Sequence, residues 1–346
     1  MFELMGAGGA QQSGRGFMKY RAFGNTGLRV SELGLGCSPL GGGLFHRDDR
    51  ESACVLQQAL DAGVNFFDTA DNYSLGNSEA LIGRAIRGRR DQVVIATKGG
   101  ARFRSFDRFI FKARPLVRPL RGLLRGAGRS MNLARVRRRQ YDYSDQYLAR
   151  AVEGSLRRLG TDYIDLYQIY NPSGSELAKF AFGEILERLK AEGKIRHYGV
   201  SVNHVQDALI ALKLPGVASV QLAVSLLDRT PLEQFLPAAK ANGIGVIARS
   251  PLAQGLLTDT TGETMADRSG HFALEKIAER KAQVEHFHSL IRRDRTLAQV
   301  ALRFILQLEG VSVVIPSAIN GAELSENLGA LNSPLLDPSE LQDLLG

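Results

Sequence analysis

Three side chains of this sequence have the chemistry to tune a proton. Asp68 and Tyr73 lie close together in Gly63-Val64-Asn65-Phe66-Phe67-Asp68-Thr69-Ala70-Asp71-Asn72-Tyr73, and Lys98 follows twenty-five residues after Tyr73. Val64 to Phe67 reads as a short buried strand that empties into a polar loop, and Val93-Val94-Ile95-Ala96-Thr97 reads as a second strand ending in Lys98. Parallel α/β folds keep their chemistry at the C-terminal ends of strands, so an acid, a phenol and an amine can meet at one sheet edge. Each needs the others. A free tyrosine ionises only near pH ~10, and a neighbouring ammonium stabilises the phenolate and lowers that value. An ammonium removed from the surface must itself be paired, and Asp68 is the acid placed to pair it. Taken singly, such residues at strand ends are usually caps, packing or surface groups; the combination points to a tuned proton donor.

The elements that must position this triple alternate along the chain. Met18 to Val30 reads as a hairpin around Gly24-Asn25-Thr26-Gly27. Strands are expected at Leu33–Cys37, Val64–Asp68, Val93–Lys98, Tyr163–Ile169, His197–Ser201, Ser219–Ala223, Ile244–Ala248 and Val311–Ile315. Helices are expected to start near Asp49, Asn77, Ser144, Ser175, His204, Thr230, Thr296 and Asn320. Eight strand-helix pairs predict an α/β fold, a (β/α)8 TIM barrel with an N-terminal β-hairpin and long loops after strands 3 and 7. The alternative is an open doubly wound sheet. It lacks its phosphate turn, because Gly34-Leu35-Gly36-Cys37-Ser38-Pro39 has a proline where GxGxxG needs a third glycine.

With 346 residues and 44% hydrophobic content the chain can build one large barrel domain over 18–346, preceded by residues 1–17 as a flexible extension without targeting features. No apolar run reaches the ~18 residues that a membrane-spanning helix needs. Cys37 and Cys54 form no CxxC pair, which fits a reducing, cytoplasmic setting. The six histidines show no ligand spacing such as HExxH, so no metal is expected.

The stretches GVNFFDTADNYSLGNSEALIGRAI, VIATKGG, SLRRLGTDYIDLYQI, GKIRHYGVS, SPLAQGLLT and VIPSAINGAELSENL, in this order, resemble the aldo-keto reductases from about Met18 almost to the C-terminus. The resemblance implies a (β/α)8 barrel that binds NADP or NAD in an extended form and passes hydride between that cofactor and an aldehyde, ketone or sugar-like alcohol. It implies Tyr73 as general acid, with Lys98 and Asp68 as its tuning pair. The fourth family position, usually histidine, is Tyr170. A tyrosine hydroxyl can still donate to a substrate oxygen, though it is bulkier. The competing reading is a nicotinamide-nucleotide-binding sensor or scaffold with little turnover because of that exchange.

The resemblance also implies the cofactor contacts. Gly36, Cys37 and Asp68 line the first strand ends, and Ser201 and Gln221 stand near the carboxamide, with Asn203 displaced by one because Val202 intervenes. Arg249 stands where many members carry a stacking aromatic, and its planar guanidinium can stack and also offer charge. Ser250, Leu252 and Gln254 follow the phosphates. Ser317, Glu323, Glu326 and Asn327 fall in the adenosine segment, where Ser317 and Glu323 replace the basic residues that grip a 2′-phosphate. NAD, NADP or both therefore remain open.

Residues 101–139 hold thirteen Lys or Arg against one Asp, while the rest of the chain holds 31 basic and 35 acidic residues, so the basic balance is local. Within a basic loop insertion over 101–143, Arg114, Arg118, Arg121 and Arg125 recur with Leu116, Val117, Leu120, Leu123 and Leu124 at the spacing of a cationic amphipathic helix. Three readings stand: a solvated lid, a mouth that attracts anionic substrates, or docking to an anionic membrane or nucleic acid, the least favoured. His271, His286 and His288 in the other long connection, and His197 and His204 beside the fifth strand, are assigned no chemistry.

Overall fold

The computed structural model describes residues 18–41, 49–102, 140–258, 274–287, 290–291 and 294–345. The first two strands, β1 (Tyr20–Ala22) and β2 (Arg29–Ser31), pair antiparallel with Arg21 opposite Val30. Gly24 takes φ +53 in their turn, and a Cβ there would collide with the Gly243 carbonyl, so the hairpin sits on the backbone beneath a later strand because this position lacks a side chain.

Strands and helices then alternate: β3 (Leu35–Gly36), α1 (Asp49–Asp61), β4 (Phe66–Asp68), α2 (Asn77–Ala85) and β5 (Val94–Gly99). A small ribbon of β6 (Ala101–Arg102) with β7 (Gln140–Tyr141) precedes α3 (Asp145–Leu159) and β8 (Ile164–Tyr170). Next come α4 (Gly174–Lys179), α5 (Gly183–Ala191), β9 (Ile195–Ser201), α6 (Val205–Ala211) and β10 (Val217–Ala223). The chain continues through α7 (Phe235–Ala241), β11 (Gly245–Arg249), α8 (Leu274–Glu285), α9 (Leu297–Leu306), β12 (Val313–Ile315), α10 (Gly321–Gly329) and α11 (Pro338–Leu345). Eight parallel strands run in the order β12-β11-β10-β9-β8-β5-β4-β3. The bridge between Leu33 and Val314 and the Gly34 N–H to Val314 O bond of 2.8 Å close the ring, which is the expected barrel and not an open sheet.

Side chains two apart on a strand share a face, and that period sorts the interior. Phe66, Val94, Ala96, Leu166, Ile247, Val313 and Ile315 form one apolar cluster inside the barrel. Two residues after Phe66, Ala96, Leu166 and Ile247 come Asp68, Lys98, Gln168 and Arg249. The barrel therefore has an apolar floor and a polar ceiling at the C-terminal strand ends. Phe23 from the hairpin plugs the floor: it is fully buried, and its ring lies 5.7 Å from that of Phe66.

Two expected helix starts differ from the structure. The helix expected near Ser175 is two helices, α4 capped by Ser173 and Glu176, and α5, separated at Phe180 by a left-handed φ of 45°. The start expected near Thr230 falls at Phe235, because the Thr230 hydroxyl donates to Asp228 Oδ1 at 2.8 Å and leaves no cap for the backbone. Ser144, His204, Thr296 and Asn320 occupy the cap positions of their helices. The amphipathic helix expected within 101–139, with His271 and His288, lies outside the described residues apart from Ala101 and Arg102.

Replacing the plug should cost stability without touching the ceiling. Phe23→Ala is expected to lower unfolding free energy in urea by about 3–5 kcal/mol while nucleotide affinity is retained; a loss well under 1 kcal/mol would show that the hairpin does not seal the floor.

Candidate active site

Lys98 leaves β5 with no exposed surface, and Asp68 leaves the neighbouring β4 almost as deeply buried. The Lys98 Nζ donates to Asp68 Oδ1 at 2.8 Å, to Asp68 Oδ2 at 2.7 Å and to the Thr69 carbonyl at 2.8 Å. The ammonium has three N–H bonds and three acceptors around it, which a buried cation requires. Asp68 Oδ1 also accepts from Gln221 Nε2 on β10 at 2.7 Å and from Gln168 Nε2 on β8 at 3.3 Å. Ser201 on β9 completes the chain by donating from Oγ to Gln221 Oε1 at 3.0 Å. Side chains from five consecutive strands of the ring thus form one network, with Lys98, Gln168 and Gln221 bonded directly to the Asp68 carboxylate.

Tyr73 is brought to this centre by backbone bonds beyond the end of β4. The Thr69 N–H reaches Ala96 O at 2.8 Å and the Asp71 N–H reaches Lys98 O at 3.0 Å, so the loop keeps its alignment with β5. The loop then turns sharply, with Ser74 at φ 49° and Leu75 at φ 56°. Such conformations in non-glycine residues persist only where the surroundings enforce them, and they cluster where geometry serves function. The Lys98 Nζ lies 5.1 Å from the Tyr73 ring centroid. Because the three N–H groups of Lys98 face Asp68 and Thr69, its effect on the ring is that of a nearby positive charge.

The other sequence-expected positions fall into separate groups. Tyr170 ends β8 opposite Ser201 in register, and its carbonyl accepts from the Tyr143 hydroxyl at 2.9 Å. Arg249 ends β11 and donates from one Nη to Val202 O and Asn203 Oδ1, both at 3.1 Å. Asn203 therefore faces Arg249 and not the Ser201–Gln221 pair. After β11, Ser250, Ala253 and Gln254 are left-handed, with Leu252 between them. Gly36 pairs with Asp68 in register, and the Cys37 N–H donates to the Asp68 carbonyl at 2.8 Å. Burial, and then the Asp68 charge, push the Cys37 thiol well up.

On the far side, the Ser317 carbonyl accepts from Asn327 Nδ2 at 3.2 Å. A Cβ on Gly36 would come within 2.9 Å of Ser317 Oγ, so that glycine admits the Ser317 segment to the strand end. Glu323 is held in a cap: its Oε2 accepts from the Ile319 N–H at 3.0 Å while its own N–H donates to Asn320 Oδ1 at 2.8 Å. Glu326, half-buried, is engaged through its carbonyl by Gln299. Among the described residues no group of His, Cys, Asp or Glu is arranged to hold a metal.

Gln168, which the structure places beside Asp68, was not singled out by the sequence reading. A buried network beside the centre was also missed. Thr97 Oγ1 donates to Glu79 Oε1 at 2.7 Å, and Glu79 Oε2 is held by Arg158 Nε at 2.6 Å. Asp71 is buried nearby, and its carboxyl is pushed well up by burial first and by the Glu79 charge second.

The sequence profile of the Aldo/keto reductase family matches residues 32–344. The chain is 31% identical over 338 residues to the NADH-specific methylglyoxal reductase of Escherichia coli, covering 92% of this chain and 95% of that protein. Its structure is similar to the holo form of aldo-keto reductase AKR11C1 from Bacillus halodurans, with TM-score 0.75 and 31% identity over 95% of this chain and 96% of the other. An aldo/keto reductase of Klebsiella pneumoniae in complex with NADP and acetate gives TM-score 0.65 and 25% identity, covering 94% and 93%.

The raised Asp71 carboxyl makes stability depend on pH. A folded-state acid above its unfolded value contributes stability below that ordinary value, and the contribution is lost as pH rises through the folded one. Asp71→Asn removes the dependence. Relative to the wild type, the variant should therefore gain stability between pH ~4 and pH ~8. Urea midpoints at the two pH values check this; a difference that is constant or shrinks toward high pH would contradict it.

Proposed function

Because the chain belongs to the aldo/keto reductase family, whose members are NAD(P)-dependent oxidoreductases, we propose that Tyr73 is the general acid and base for hydride transfer between NADP or NAD and a carbonyl or alcohol. The observation that carries this reading is the fully buried Lys98–Asp68 pair with its ammonium 5.1 Å from the Tyr73 ring. A positive charge at that distance favours the phenolate over the phenol, so the hydroxyl releases its proton to an oxygen that is gaining electrons. Asp68 keeps the ammonium in place, and Gln168 and Gln221 keep Asp68 in place. In the reverse direction the phenolate takes the proton from an alcohol. Tyr170, one strand away, contributes a hydroxyl suited to orienting the substrate oxygen.

The residues suit a nicotinamide nucleotide. When bound, the cofactor supplies or accepts the hydride. Ser201 and Gln221 together present a hydroxyl and an amide, the donors and acceptors that a carboxamide needs. Arg249 has a buried Nε without a partner among the described residues, and the left-handed Ser250, Ala253 and Gln254 give the backbone that follows it a curved course. A guanidinium beside such a loop fits a nucleotide phosphate. Gly36 and Cys37 flank Asp68, while Leu252 and Gln254 belong to the loop. Ser317, Glu323, Glu326 and Asn327 belong to the segment at β12 and α10 assigned to the adenosine end. The E. coli relative's name supports a small reactive aldehyde as substrate class.

Tyr73→Phe separates binding from chemistry. The variant should lose about 10²–10⁴-fold in kcat on a carbonyl panel followed by reduced-nicotinamide absorbance, with nucleotide Kd unchanged. Retained turnover would remove Tyr73 from the proton transfer.

A further inference from the structure

At the end of the barrel opposite the polar ceiling, α2 and α3 run out side by side. Gly83 permits this closeness, since a Cβ there would collide with the Leu159 carbonyl. Beside the crossing lies a cleft of about 260 Å³ lined by Ala80, Gly83, Ile86, Gly88, Leu159, Gly160 and five arginines, with no carboxylate in its wall. Arg84, Arg87 and Arg90 come from α2 and the turn after it; Arg157 and Arg158 come from the last turn of α3.

The five are not equivalent. Arg90 is committed to Asp165 at 2.7 Å and Arg158 to Glu79 at 2.6 Å. Arg84, Arg87 and Arg157 are exposed and have no acidic partner among the described residues. A cation in the last turn of a helix is ordinary, because it faces the carbonyl end of the dipole. That effect accounts for one charge per helix end, not for three unpaired guanidiniums on the walls of one concavity, where like charges repel. The surroundings do not account for it either, since outside residues 101–139 the chain carries more acidic than basic residues.

We propose that this cleft is a binding site for a compact phosphate-bearing polyanion, separate from the cofactor site. Its volume lies just under the usual range for drug-sized ligands, ~300–1,000 Å³, and suits an oligophosphate or a small phosphorylated metabolite. The guanidinium fork matches phosphate oxygens two at a time, so the three free arginines can hold such a ligand from both walls. Arg90 and Arg158 add positive field while remaining bound to their own acids.

The test is calorimetric titration of the full chain with inorganic triphosphate, at physiological salt and with the cofactor site saturated by whichever of NADH and NADPH binds more tightly, to fill the cofactor's own phosphate contacts. A single saturable site is expected. Arg84→Gln/Arg87→Gln, at exposed positions without partners, should weaken it by about tenfold or more with an unchanged melting temperature, and Arg157→Gln on the opposite wall should also weaken it. The charge-matched control Arg104→Gln/Arg108→Gln in the basic segment should leave it unchanged. Affinity that survives the cleft variants, falls equally in the control, or never saturates would overturn the proposal.

Discussion

A lysine ammonium with no contact with solvent must have its charge met inside the protein, and Lys98 has it met by Asp68 at 2.7 and 2.8 Å. Removing one partner from such a pair typically costs about 3–5 kcal/mol, because the survivor is left charged and unpaired. That cost ties the local architecture together. Lys98 and Asp68 must stay on neighbouring strands in the register the sheet gives them, and Asp68 must keep its further donors, Gln168 and Gln221. The Thr69 carbonyl must stay turned toward Nζ, which in turn sets where the loop toward Tyr73 departs. A change in register of one residue would point either charge out of the barrel.

The same two-residue period explains why the site sits above a packed floor. On β4, β5, β8 and β11 an apolar residue deep in the ring is followed two positions later by a polar one, so a single sheet supplies both a dry base and a charged rim. The hairpin closes the base with Phe23, and the ends of β9, β10 and β11 extend the rim through Ser201, Gln221 and Arg249. Electrostatic effects at the rim are stronger for being backed by low-dielectric packing.

Much of this was legible in the residues. Strands that enter a barrel end where apolar runs meet polar residues, so Asp68, Tyr73 and Lys98 could be placed at one edge from order alone. Cap residues such as Thr296 and Asn320 announced their helices. Gln168 was hidden because every residue from Ile164 to Ile169 is buried, and a strand buried on both faces shows no alternation to read. Asp71, Glu79 and Arg158 were hidden because their link crosses from a loop and the start of α2 to the end of α3. Thr230 misled because a hydroxyl that can cap a helix can equally bond a nearby carboxylate. The arginines of the α2–α3 cleft are scattered over seventy-five positions of sequence and meet only through a helix crossing that a glycine allows.

The central claim is that the buried pair sets the proton affinity of the Tyr73 hydroxyl. It is tested most directly by labelling tyrosine at Cζ with carbon-13, assigning Tyr73 by its loss on substitution, and titrating it by NMR in the wild type and in Asp68→Asn/Lys98→Met, which removes both buried charges together. Tyr73 is expected to titrate below the free-tyrosine value of about 10 in the wild type and to move up in the double variant. The same titration point in both proteins would contradict it.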